Sequence, residues 1–366
     1  MEISSIILLI INWSDIMNKK DRFMGCLLGG ASGDALGYEV EFNRYDDIIK
    51  RFGKKGITNF TLYDGIALIS DDTQMTLFTA NGLINAEINK KDYINYIYNA
   101  YLDWYNTQYP NNNYYKSNCW LYSFNELHSP RAPGLTCTGS LRSKKMGTLE
   151  KRINNSNGCG GVMRVAPIGL YFSPVNLNSN EIFLMGAKAA AITHGGDLAI
   201  IPSACLVSII NNIVYNNYEL ENAVKESIKQ AKKNFNGVDI SYFSSLIEMA
   251  IKLSKISIND YEAISMLGEG WTGDEALAIA IYSSLKYKNN IKDALICSVN
   301  HNGDSDSTGS ITGQILGAYL GINNIPKEYI NELELRDIIV EIATDLYNIS
   351  NKKVDNEIIK KYKKSI

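Results

Sequence analysis

The chain has 366 residues with 36 basic and 39 acidic side chains, and its net charge of −3 gives no overall field to attract nucleic acid or anionic lipid. Its length suits one large domain or two ordinary ones, and no linker-like stretch divides it. Six cysteines, Cys26, Cys119, Cys137, Cys159, Cys205 and Cys297, lie scattered without a Cys-x-x-Cys pair, which argues for reduced, mostly buried thiols and against a disulfide framework or a zinc site.

In chain order, the apolar run from Ile6 to Ile11 follows Glu2 without a basic residue, and so short a segment cannot cross the ~30 Å hydrocarbon core. Met17 followed by Asn18-Lys19-Lys20-Asp21 reads as an alternative start, leaving residues 1–16 as an upstream extension. Apolar periodicity then predicts helices over 21–33, 73–86, 91–107, 179–191, 197–212, 218–235, 242–254, 260–267, 275–285, 291–299, 308–320 and 331–349. An Asn-rich stretch at 109–118 and a polar run at 142–157 read as surface loops. Residues 17–350 are expected to form one domain, with a Lys-rich tail at 351–366. Strand-like alternation is scarce and strands do not alternate with helices. The expected fold is all-α, a single compact multi-helix domain with function on its loops.

Two acidic clusters more than 200 residues apart each precede an apolar helical run: Ser70-Asp71-Asp72-Thr73 and Gly303-Asp304-Ser305-Asp306-Ser307-Thr308. Gly309, Gly313 and Gly317 step along one face of the second helix, where a neighbour can approach closely. Ser and Asp at helix starts are ordinary caps. Capping alone does not account for two acids within three positions at both sites, because like charges repel unless a cation lies between them. Carboxylate and hydroxyl oxygens favour hard cations such as Mg²⁺ or Mn²⁺ over Zn²⁺.

Three further stretches carry candidate chemistry. Asp34, Glu39 and Glu41 fall within eight positions of a loop at 33–42, where such acids are ordinarily solvated. Val40 and Phe42 flank Glu41 and could hold one carboxylate in a partly apolar setting suited to acid/base work. Asn157-Gly158-Cys159-Gly160-Gly161-Val162-Met163-Arg164 is a Gly-rich turn whose amides could wrap a pyrophosphate, with Arg164 as a neutralising charge, or it is a tight turn between helices. His194 and His301 end apolar runs beside glycine and aspartate and read as supporting or capping groups, while His128 lies in a loop. No Ser, Cys or Lys stands in a recognisable nucleophile setting.

Taken together, Gly33-Asp34-Ala35-Leu36-Gly37 with Glu41, Ser70-Asp71-Asp72-Thr73, 157–164, Ile192-Thr193-His194, Gly270-Trp271 with Glu275-Ala276-Leu277-Ala278, and 301–309 resemble the ADP-ribosylglycohydrolase family, over about residues 24–321. That family includes ADP-ribosylarginine hydrolases, ADP-ribosylserine hydrolases and dinitrogenase reductase-activating glycohydrolases. The resemblance implies an all-α domain with two Mg²⁺ (or Mn²⁺) ions at the bottom of a cleft. Ser70, Asp71 and Asp72 would hold one ion, Asp304 and Ser307 the other, and Asp306 would bridge them. Glu41 would act on the attacking water, with Asp71 or Asp72 as the alternative base. Asn157, Gly158, Cys159, Gly160 and Gly161 would wrap the diphosphate, with Arg164 and His194 also at the substrate and the loop Arg131-Ala132-Pro133-Gly134-Leu135-Thr136 close to it.

The implied activity is Mg-dependent removal of ADP-ribose from a modified protein, from arginine in preference to serine, by cleavage at C1″. Partners would be ADP-ribosylated protein or ADP-ribose, with no nucleic acid and no membrane, in the cytoplasm. Two other readings stand beside it: a non-catalytic, crystallin-like structural member of the family, and an unrelated two-metal phosphohydrolase.

Overall fold

The helices begin where short polar side chains can take up orphan amides. Ser70 accepts from the Asp72 amide, Asp92 from Asn95, Asn259 from Glu262 and Asp304 from Ser307, and Asn178 forms a full capping box with Glu181. In the computed structural model, which describes residues 18–109, 117 and 119–363, the elements run α1 (Lys19–Tyr38), α2 (Tyr45–Phe52), α3 (Asp71–Asn89), α4 (Tyr93–Gln108), α5 (Leu135–Arg142) and α6 (Ala166–Tyr171). There follow α7 (Ser179–Ala191), α8 (Asp197–Asn216), α9 (Leu220–Asn234), α10 (Val238–Leu253), α11 (Asp260–Leu267) and α12 (Gly273–Lys286). The chain closes with α13 (Ile291–Val299), α14 (Ser305–Leu320), α15 (Lys327–Asn331), α16 (Arg336–Ser350) and α17 (Asn356–Lys363). Among the described residues no sheet forms, only isolated bridges such as Gly158 with Thr272. The all-α single domain expected from periodicity is the one observed.

The most extensive helix pairing is α1 against α14, and glycine makes it. A Cβ on Gly29 would lie 2.5 Å from the Gly313 carbonyl oxygen, and one on Gly313 would lie 1.9 Å from that of Gly29. Gly25 meets Gly317 and Gly33 meets Gly309 in the same way, so the two backbones touch at three successive glycine pairs. The helix α8, apolar and long enough to cross a membrane by length and composition alone, has 89% of its apolar window buried, and it packs on α7, α9, α6 and α12. All six cysteines are free thiols, with Cys159 alone half-exposed.

Several boundaries differ from those read off the sequence. The first helix continues through Tyr38, so Asp34 is a buried helical residue and not a loop acid. The expected helix at 331–349 is broken: α15 ends at Asn331, Leu335 takes φ 57°, and α16 begins at Arg336. Helices α2, α5, α6 and α17 were not among those expected; each is eight residues or fewer, a length at which a helical period is weakly marked. In the Lys-rich C-terminal segment, α17 buries Ile358 and Tyr362, and Lys361 pairs with Asp345 of α16 at 2.7 Å. The extension at 1–16, Met17 and nearly all of the Asn-rich stretch lie outside the described residues.

Candidate active site

The N-termini of α3 and α14 meet at the bottom of a cleft of about 370 Å³. Asp71, Asp72 and Asp306 place carboxylate oxygens within 4.8 Å of one another, and Glu41, Asp304 and Asp306 do the same, so Asp306 belongs to both groups. The two halves are also tied directly, by Ser307 Oγ donating to Asp72 Oδ1 at 3.2 Å. All these carboxylates are buried. Both helix starts are genuine caps as well, which shows that capping and clustering are not exclusive.

Asp34 explains why the acids stay in register. From inside α1 it accepts the Ser70 amide at 3.0 Å, the Thr73 amide at 3.0 Å and the Thr73 hydroxyl, so one helix caps the start of another. Asp71 Oδ2 accepts the Gly134 amide at 3.1 Å, and its own amide donates to the Arg131 carbonyl, which holds the 131–136 loop along one wall. Glu41 lies on the turn after α1, beside buried Val40, while Glu39 points away to Arg51 and Tyr63. The ordinary expectation of solvated loop acids therefore fails at Glu41, which is 7% exposed.

Burial pushes Glu41 up to about 11, reinforced by Asp306 and Asp304, and pushes Asp34 up to about 7, reinforced by Asp306. Burial likewise raises Asp71, Asp72 and Asp304 well above the usual carboxylate range and raises Asp306. Among the described residues no Lys or Arg lines the cleft. Asp72 Oδ2 and Glu41 Oε2 are buried with no hydrogen-bond partner among the described residues. Buried carboxylates without a countercharge suit a divalent cation, and this all-oxygen donor set fits a hard one.

Other expected residues separate into those at the cleft and those behind it. Gly158, Cys159, Gly160 and His194 line it, and Cys159 Sγ donates to Asp304 Oδ2 at 2.7 Å. Four of the amides in 157–164 are already taken, Gly158 by Ser156 Oγ, Cys159 by the Trp271 carbonyl, and Val162 and Met163 by the Cys159 carbonyl. Asn157 and Gly161 do not reach the lining, the Asn157 carbonyl accepting from Gly273 and Gly161 packing on Ala190 and Ser203, while Ser70 caps α3 and its side chain meets Asp306 beneath the lining. Arg164 requires correction. It is fully buried behind the glycine turn, its guanidinium 4.2 Å over the Tyr101 ring and donating to Thr193 Oγ1 at 2.6 Å, so it makes no direct contact with a ligand in the cleft. The turn that brings Gly160 to the cleft wall carries the side chain four residues later into the core. His301 bonds Thr308 Oγ1 at 2.9 Å and supports α14.

The sequence reading placed the 131–136 loop near the substrate but did not bring Phe42 and Trp271 together at the mouth of the cleft. Phe42, 73% exposed, stacks on Trp271 with ring centroids 5.9 Å apart, and Leu135, 88% exposed, faces the same opening. Large apolar residues this exposed are a binding signal, but only three-dimensional position reveals it.

Fold and site together define an all-α protein with an acidic cleft whose buried carboxylates could hold a cation. A family model described as ADP-ribosylglycohydrolase matches residues 15–355, and the chain belongs to that family. It is thus a hydrolase acting on glycosyl bonds. An uncharacterised protein of Archaeoglobus fulgidus is 28% identical over 90% of this chain and 97% of its own length. The ADP-ribosylarginine hydrolase Tri1 of Pseudomonas putida is 24% identical over 90% of this chain and 78% of its own. Human ADP-ribosylhydrolase ARH3 is 23% identical over 54% of this chain, and the match spans 59% of the human protein. A solved structure titled ADP-ribosylglycohydrolase-related protein complex shares the fold with a TM-score of 0.61 at 21% identity, covering 91% of this chain and 99% of that one.

Proposed function

We propose that the protein removes ADP-ribose from modified proteins, arginine-linked ADP-ribose being preferred, with two Mg²⁺ or Mn²⁺ ions in the cleft. The observation that carries this reading is the sharing of Asp306 between two groups of buried carboxylates. Asp71 and Asp72 would hold one ion and Asp304 the other, with Asp306 between them; Ser70 and Ser307 complete the donor set drawn from the family resemblance. Bound ions would supply Lewis-acid polarisation of the distal ribose hydroxyls and of water.

The chain's own groups do the rest. Glu41 stands beside Asp304 and Asp306, whose like charges and its own burial hold its proton when no cation is bound; cations on the neighbouring acids would offset this and leave Glu41 the ionised carboxylate that takes a proton from water as C1″ develops oxocarbenium character. The glycine turn and His194 form the wall that would face the diphosphate. Phe42, Trp271 and Leu135 offer apolar surface at the mouth, where a nucleotide base or the modified protein would emerge. The preference for arginine is supported by the Asp304-Ser305-Asp306-Ser307-Thr308 and Gly33-Asp34-Ala35-Leu36-Gly37 forms.

The test offers arginine-linked and serine-linked ADP-ribosylated proteins side by side, with Mg²⁺ or with EDTA. Release of ADP-ribose from the arginine substrate in Mg²⁺ alone is expected. Faster release from serine would overturn the linkage, and undiminished release after exhaustive chelation would overturn the metal.

A further inference from the structure

Arg164 is a buried guanidinium with no carboxylate partner among the described residues: Met75 Sδ, Cys137 Sγ, the Ala189 carbonyl and Thr193 Oγ1 accept from it, and its Nε has no hydrogen-bond partner among them. Placing such a charge beneath an active site is expensive, and its closest contact shows what it achieves. A guanidinium only donates, so Thr193 Oγ1 must accept the 2.6 Å bond from Arg164 Nη2. The same oxygen lies 2.8 Å from His194 Nδ1. With the oxygen engaged as acceptor, the Thr193 hydrogen needs an acceptor of its own. The alternative to His194 Nδ1 is the Cys137 sulfur, a weak acceptor that Arg164 Nη1 already approaches at 3.4 Å.

We infer that Arg164 and Thr193 set the tautomer of His194: the Thr193 hydroxyl donates to Nδ1, so that Nε2 carries the ring hydrogen and presents it to the ligand at the cleft wall. The ring is held neutral by burial, with Arg164 adding to the effect, its pKa lowered to about 3. Nε2 has no protein partner among the described residues and lies against the glycine turn, 3.3 Å from where a Cβ on Gly160 would be. The absence of that Cβ lets the imidazole edge reach the cleft. Two consequences follow for the reading above, on which the choice of ligand rests. A protonated Nε2 cannot ligate a metal, so the cation site stays all-oxygen and hard. It can donate to an anionic oxygen, such as a diphosphate, in a cleft lined by no Lys or Arg among the described residues. Arg164 and Thr193 are positioning residues, acting through His194.

The experiment has two readouts on the full chain. Long-range proton–nitrogen NMR of histidine-labelled protein, assigned with His194→Gln, reports the tautomer directly; a pyridine-like Nδ1 and a pyrrole-like Nε2 are expected. Calorimetric titration of ADP-ribose in Mg²⁺ should then weaken about tenfold in Thr193→Val, the loss of one hydrogen bond to a charged acceptor, and recover in Thr193→Ser. A hydrogen on Nδ1 in the parent protein overturns the inference without any variant. So does a Thr193→Val protein that binds ADP-ribose as the parent does; if that variant does not fold, the parent spectrum and Thr193→Ser decide. Should the parent not bind ADP-ribose at all, the functional reading fails while the tautomer is still read.

Discussion

The α1–α14 seam and the acidic cleft at its end are opposites built on the same helix. Along the body of α14, Gly309, Gly313 and Gly317 meet glycines of α1 backbone to backbone with no room for a methyl group. At its start, Asp304 and Asp306 stand with unpaired neighbours whose charges repel. The seam is dry, neutral and without slack; the cleft is charged and unsatisfied. The contrast teaches that a site of mutually repelling carboxylates needs a scaffold that cannot relax, because any spare motion would let the acids separate.

The comparison breaks most visibly at the seam. Gly313→Ala should cost about 3 kcal/mol or more, since its Cβ would fall 1.9 Å from a backbone oxygen that has nowhere to go. Urea unfolding measures this, and an unchanged midpoint would mean the seam has slack after all. In the cleft the expectation reverses. Asp306→Asn should lose about 10²-fold or more in rate, yet keep or gain stability in EDTA, because it removes a repelling charge. Glu41→Gln should retain ADP-ribose binding while losing roughly 10²- to 10⁴-fold in turnover. A Glu41→Gln enzyme as fast as the parent would move the proton-handling role to Asp71 or Asp72.

Protonation sharpens the same contrast. In EDTA the folded protein holds protons on Asp34, Glu41 and their neighbours that the unfolded chain has already released, so stability must fall as pH rises. The window opens near pH 4, where unfolded carboxylates titrate, and for Asp34 extends to about 7. Melting temperature followed from pH 4 to 7 in EDTA should decline, and added Mg²⁺ should raise it at pH 7. A flat profile would contradict the burial of these acids. The smallest effect belongs to the mouth: Phe42→Ala removes a stacked pair worth about 0.5–1.5 kcal/mol, raising KM several-fold and leaving kcat near its parent value.

Much of this was legible in the chain. Helical periods gave α7, α11 and α13 to the residue and α8, α12 and α14 to within four residues at each end, and Ser70-Asp71-Asp72 and Asp304-x-Asp306 stood out because plain capping does not call for paired acids at helix starts. The stepping glycines of α14 announced a close neighbour, and the six ordered motifs announced the family, which the match over 15–355 shows. Local sequence determined these because hydrophobic period and cap chemistry act over a few residues. Only the tertiary structure decided the rest. It made Asp34 the cap of a helix 36 residues away, paired Phe42 with Trp271, and turned Arg164 from the diphosphate toward Thr193. Each depends on which face of one element meets another across the fold, and a one-dimensional pattern carries the identity of a side chain without the direction in which its neighbours force it to point.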